Sequence, residues 1–263
     1  MSALTTVPAA GTHRPAHTRR PSLARLTAVE LRKATDTRAG FWLLAVIALV
    51  ALAIVVVQLF TGSAEDRNFA DFFGGAQLGT GLLLPVVGIL AVTGEWSQRT
   101  TLATFALEPR RGRVVASKLG ASALLAVAVV AAGLVWAALA NLLAPVVTDA
   151  SASWEFGADG LGRVLLFQVI NVLVGSAFGL ALLSTPLAIV LYFVLPTAWT
   201  VLGSLISALE TPAQWLDLSS TTTVLLDGDL TGQAWAQLGT SVALWLALPL
   251  ALGLVRVLRS EVK

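Results

Sequence analysis

The chain has 263 residues, of which 56% are hydrophobic and only 12% charged. A soluble domain carries about 25% charged residues, and a water-exposed fold of this length has too little interior to hide so much apolar surface, which argues against a soluble enzyme or a disordered chain. Cysteine is absent, so disulfides, thiolate catalysis and Cys-ligated zinc are excluded, and the formal net charge of +2 acquires meaning only once the charges are placed along the chain.

Residues 1–21 are rich in Pro, Thr and Arg and contain no apolar run, so they are expected to form a disordered cytoplasmic tail rather than a secretory signal. Both histidines, His13 and His17, lie in this tail, which leaves no histidine for a catalytic base or a metal site in the apolar body. In residues 22–38, Ser22 follows Pro21 as an N-cap, and Leu23, Leu26 and Val29 recur at helical spacing. Arg25, Arg32 and Lys33 lie largely elsewhere, so this segment is expected to be an interfacial helix on the inner leaflet. A polybasic stretch that binds anionic headgroups is the simpler reading of the same residues.

Crossing a hydrocarbon core of about 30 Å takes roughly 20 apolar helical residues. Residues 41–60, 76–94 and 119–143 are runs of this kind. No charged residue occurs from Val164 to Leu209, a stretch too long for one crossing, and Ser184-Thr185-Pro186 is the natural break. That gives spans at 164–184 and 186–209, and residues 234–255 supply the sixth.

Charge placement tests this count. With both termini cytoplasmic, seven basic residues fall on the inner side before the first span, five between the second and third, and three after the sixth, leaving only Arg67 and Arg163 outside. Ten acidic residues, from Glu65 to Asp229, fall outside. The positive-inside rule thus predicts an all-α integral membrane protein with six transmembrane helices and both ends in the cytoplasm.

No phosphate-cradling G-x-x-x-x-G-K-[ST] occurs, and the glycine-rich stretch 74–81 lacks its lysine, so those glycines are expected to allow close helix packing. Ser176 has no His or Lys in any span to activate it, so no catalytic residue and no metal site is assigned. No Asp, Glu, Lys, Arg or His lies within the spans, which argues against a proton- or ion-coupled carrier. Among the intramembrane polar residues, Gln77, Gln168, Asn171 and Ser176 have two readings: interhelical hydrogen bonds, or the weakly polar lining of a substrate path. Pro85, Pro196 and Pro249 fall within spans and are expected to kink them.

Residues 95–118 divide at Pro109. Leu102, Phe105 and Ala106 can form an apolar patch on a short helix, followed by Arg110, Arg111 and Arg113. An apolar patch between charged ends marks a partner site. Nucleic acid is a poor partner, because no aromatic platform accompanies the arginines.

The order Val29-Glu30-Leu31-Arg32-Lys33, then Thr93-Gly94-Glu95-Trp96 with Arg99-Thr100, then Pro109-Arg110-Arg111 and Val114 through Lys118-Leu119, resembles the membrane subunit of ABC-2 type transporters, particularly actinobacterial permeases. The likeness is specific over Val29 to Leu119. Thr100-Thr101 departs from the Gly-Thr common in the family, and the second half matches in hydropathy alone. The resemblance implies an ABC-2 type transmembrane domain over 22–263 in a bacterial plasma membrane, exporting a substrate by alternating access. It implies a dimer with a second copy or a paralogue, and a separate ATPase subunit that binds ATP and Mg, so that this chain holds no cofactor. Residues 22–38 would be the elbow helix, with Leu23, Leu26, Val29, Arg32 and Lys33. Glu95–Leu107 would be the coupling helix, with Leu102 and Phe105 inserted into the ATPase, Glu95, Arg99, Arg110 and Arg111 orienting it, and Pro109 and Arg113 completing the segment. The outer loop 210–233 would hold a re-entrant or short helical element. The apolar interior favours a lipophilic or amphiphilic cargo. A stand-alone carrier or channel, or a non-transporting scaffold, is the alternative.

Overall fold

The computed structural model describes residues 21–98, 100–228 and 230–259. The proposed tail, apart from Pro21, lies outside the described residues, as does Arg99. The described residues form helices and no strand. Helix α1 (Leu23–Asp36) is capped by Ser22, whose hydroxyl accepts from the Arg25 N–H at 3.2 Å. Thr37 ends α1 and starts α2 (Arg38–Thr61), with extended backbone and a hydroxyl that accepts from Gly40 N at 3.1 Å. The chain therefore turns at one residue between the two helices.

Next come α3 (Phe69–Ser97), the short α4 (Thr101–Leu107), α5 (Arg111–Val147), α6 (Ala158–Leu182) and α7 (Thr185–Leu205). A 3₁₀ turn at Ser207–Leu209 leads to α8 (Glu210–Leu216) and α9 (Leu218–Asp227). The last long helix is built from α10 (Gly232–Val242), a π-helical turn (Ala243–Ala247) and α11 (Leu248–Arg259). Pro249 follows that turn and has no N–H to give to the carbonyl one turn upstream, a setting in which a π turn relieves the ladder.

Among the described residues, six helices are long and apolar enough to cross a membrane: α2, α3, α5, α6, α7 and the composite α10–α11 helix. The expected break in the charge-free stretch is present: α6 ends at Leu182, Leu183 adopts a left-handed φ of 50°, and Pro186 sits in the first turn of α7. Helices α2, α3, α5 and the composite α10–α11 outrun their expected spans at both ends, α6 begins earlier and ends two residues sooner, and α7 stops at Leu205, short of the expected 209. At about 1.5 Å per residue, the 37 residues of α5 reach about 55 Å, well beyond a hydrocarbon core.

Helix α6 is the most buried of the six and α3 follows. The two meet backbone to backbone: a Cβ on Gly88 would strike the Val172 carbonyl oxygen, and one on Gly175 would strike that of Pro85. Gly75 and Gly79 likewise bring α3 against Gln58 and Ile54 of α2, as the glycine-rich stretch led one to expect, whereas Gly74 faces open space. Helices α2, α5 and α7 turn apolar side chains outward, among them Leu49, Phe60, Val135, Leu142 and Val190, each more than half exposed. An outward apolar belt around a polar-stitched interior is the pattern of a bundle solvated by lipid. The outer loop expected at 210–233 holds two short helices, α8 and α9. Trp245 Nε1 donates to Leu216 O at 2.6 Å and Thr240 Oγ1 to Trp215 O at 2.8 Å, tying α8 to the last long helix.

Candidate functional site

One end of the bundle gathers α1, the last turns of α3, α4, the start of α5 and the end of α11. The sequence there looks merely basic, but its charges are organised. Lys118, near the start of α5, is 6% exposed and donates to Glu30 Oε2 at 2.6 Å and to the Ala91 carbonyl at 3.1 Å. It also lies 3.3 Å from Glu95 Oε1. Lys33 donates to Glu30 Oε1 at 2.7 Å and to Glu95 Oε1 at 2.8 Å. Two lysines and two glutamates thus form a neutral quartet that joins α1, α3 and α5. Partial burial alone would lower the Lys33 pKa, but hydrogen bonds and charge from Glu30 and Glu95 outweigh it and hold the ammonium above the ordinary lysine value.

Three residues of α1 depart from the pattern of a soluble amphipathic helix, while Leu31 and Ala34 pack against the core in the ordinary way. Leu23 and Val29 are 46% and 47% exposed, Leu26 is half-buried, and Glu30 is buried. Arg32 points outward. A helix that buries a paired carboxylate and exposes Leu23 and Val29 is suited to lie with those two apolar residues in an interface.

The segment expected to be a coupling helix is divided differently from its prediction. Glu95–Ser97 is the last turn of α3, and only Thr101–Leu107 forms the separate α4. Phe105 faces its own chain: its ring lies 6.4 Å from that of Trp96, edge to face, and the Arg111 guanidinium sits 4.9 Å above it. Arg111 also donates to Val257 O at 2.6 Å, which fastens the end of α11. Glu95 is held in the quartet. Arg113 pairs with Glu108 at 3.3 Å and donates to Pro21 O. What α4 presents outward is Leu102, 53% exposed, and Leu107, 86% exposed, with Arg110 exposed beyond Pro109.

A cleft of about 420 Å³ opens beside the quartet, between α1, the start of α2, the end of α3 and α4. Its lining is mainly apolar, including Leu43, Val87, Leu90 and Leu107, with Lys33, Glu95 and Gln98 as polar members.

The residues offered as a substrate path do not line one. Gln77, Gln168 and Ser176 have no exposed surface, and Asn171 is 9% exposed. Gln168 Nε2 donates to Gln77 O, Gln77 Oε1 and Thr80 Oγ1 at 2.8–3.0 Å. Ser176 donates to Val172 O at 2.9 Å and reaches Ser122 at 3.3 Å, while Tyr192 donates to Asn171 Oδ1 at 3.4 Å. These side chains stitch α3, α5 and α7 to α6. The physical reason is that a polar group held away from water takes an interhelical partner, although the network is only partly satisfied: Gln77 Nε2 and Gln168 Oε1 are buried without one among the described residues. Glu30 and Lys118 are the site residues that sequence reasoning missed. Their 88-residue separation conceals the pair, and the one available signal was a glutamate placed on a helix otherwise rich in arginine. Among the described residues, no group of three or more His, Asp or Glu side chains could hold a metal ion.

Comparison with known protein families and with curated proteins finds no match. Fold and site define the class on their own: an all-α protein with six membrane-length helices and a charge-locked helical assembly at one end.

Proposed function

We propose that this chain is the membrane-spanning permease subunit of an ATP-driven exporter of the ABC-2 type, with both termini in the cytoplasm of a bacterial cell. The observation that carries the reading is α4: a seven-residue helix with Leu102 and Leu107 outward, braced from behind by Trp96 of α3 and Arg111 of α5. A load applied to such a helix passes directly into two membrane-length helices. Apolar residues exposed at the charged end of the bundle favour a partner surface. A separate ATPase subunit, with its own ATP and Mg, would supply the load, and this chain would carry out no hydrolysis. Differential contact of α4 with two ATPase states would then bias two packings of the helices. A second permease copy or a paralogue would complete the pathway, and the apolar interior suits a lipophilic or amphiphilic cargo.

Leu102, Leu107 and Arg110 are the docking residues of this reading. Phe105 and Arg111 are braces, Glu95 belongs to the quartet, and Arg113 holds α5 to Glu108. The test is co-purification of a candidate ATPase with wild type and with the Leu102→Glu/Leu107→Glu variant. Wild type should capture the ATPase and raise its hydrolysis rate, and the variant should lose both while remaining folded. Equal capture and stimulation by the variant would remove the assignment.

A further inference from the structure

The cleft beside the quartet has a wall whose hydrogen-bonding capacity is not used up. A lysine ammonium has three donors. Lys118 directs its own at Glu30, Ala91 O and Glu95. Lys33 uses two, on Glu30 and Glu95, and its side chain is 45% exposed. One cationic N–H therefore remains at the cleft. Glu95 receives both lysines on Oε1, and among the described residues its Oε2 has no partner. Among the described residues, the wall thus presents one cationic donor and one anionic acceptor that are not taken up, on a quartet whose charges cancel. Below them the lining is apolar, with Leu43, Val87 and Leu90. The cleft's volume, about 420 Å³, falls in the range of small-molecule sites.

We infer that this cleft binds one membrane phospholipid with a primary-amine, zwitterionic headgroup of the phosphatidylethanolamine type. Its phosphate accepts from Lys33, its ammonium donates to Glu95, and an acyl chain lies along Leu43, Val87 and Leu90. Charge complementarity selects the headgroup. An anionic lipid brings a net negative charge, with no ammonium of its own, to a wall whose charges already cancel and whose free acceptor belongs to the Glu95 carboxylate. A quaternary ammonium has no N–H to donate to that oxygen. The inference rests on the reading above in one respect, that this end of the spans lies at the inner membrane surface.

Gly94 supplies the test. It lines the cleft, and a Cβ added there meets no atom within 4 Å. Leucine at this position projects into the cleft and leaves all four quartet side chains in the chain, and it replaces a helical glycine by a better helix former. The full chain is delipidated in detergent and titrated with dioleoyl phosphatidylethanolamine, phosphatidylcholine or phosphatidylglycerol, with bound lipid counted by native mass spectrometry. Wild type should hold one phosphatidylethanolamine about tenfold more tightly than either of the others, the difference expected of hydrogen bonds to charged groups. Gly94→Leu should lose that preference with no fall in thermal stability. Equal retention of the three lipids by wild type, or undiminished phosphatidylethanolamine binding by Gly94→Leu, overturns the inference. No ATPase is present in this experiment, so its outcome is independent of the docking test on α4.

Discussion

Lys118 and Glu30 lie where an unpaired charge would be hardest to keep, 6% and 9% exposed in the angle between α1 and α5. Removing one partner of a buried pair leaves the other uncompensated, at a cost of about 3–5 kcal/mol. Lys118→Met leaves Glu30 and Glu95 to share Lys33, so it should destabilise the detergent-solubilised protein by no more than the lower end of that range, about 3 kcal/mol, whereas Lys118→Met combined with Glu30→Leu should recover a large part of the loss, measured as a shift in unfolding midpoint. Lys33 gives a pH signature. Its folded-state pKa is raised, so its contribution is fully present below the ordinary lysine value and is lost as pH rises through the higher native one. Amide exchange in α1, corrected for intrinsic rate, should stay level from neutral to mildly alkaline pH and increase only above about 10.5. A rise already complete near pH 8 would exclude Lys33 as the anchor. None of this was legible from residues 22–38 or 95–118 alone. Charge counting sees basic residues on one side of a membrane, and it carries no information about which lysine finds which glutamate across 88 positions.

At the level of helices, the close contact of α3 with α6 depends on two absent side chains. Gly175→Ala would drive a methyl group into the Pro85 carbonyl oxygen, and overpacking of this kind costs about 1–3 kcal/mol. Gly112→Ala, in the first turns of α5 with open space around its Cα, should be neutral or stabilising by up to about 1 kcal/mol; the pair of variants, compared by thermal unfolding in detergent, separates loss of fit from loss of glycine itself. The existence and order of the six long helices were legible because runs such as 41–60 are apolar beyond what a soluble helix tolerates, and the fold-back at Ser184-Thr185-Pro186 was legible because proline fits the start of a helix better than its middle. Two things were not. Helix ends were misplaced where a helix continues past its apolar run: the family likeness assigns Glu95 and Trp96 to a separate coupling helix, yet they complete α3. Packing faces were also hidden, because a helix such as α5 is apolar nearly all round and its sequence carries no period that distinguishes a lipid-facing residue such as Val135 from a buried one such as Val130.

Across the whole molecule, the proposed orientation is the assumption on which docking at α4 rests, and the absence of cysteine makes it directly measurable. Single thiols can be placed without removing any native one. Glu65 lies exposed between α2 and α3, and Ser151 exposed between α5 and α6. Leu107, at the opposite end, is 86% exposed on α4. In the proposed topology, six crossings would place the α2–α3 and α5–α6 connections on one side and α4 on the other, and the excess of Lys and Arg around α4 would put that side in the cytoplasm. In intact cells a membrane-impermeant maleimide should label Glu65→Cys and Ser151→Cys and leave Leu107→Cys unmodified; permeabilisation should make Leu107→Cys react fully. Labelling of Leu107→Cys in intact cells would put α4 outside, beyond reach of any cytoplasmic ATPase, and the exposed leucines of α4 would then require a different partner.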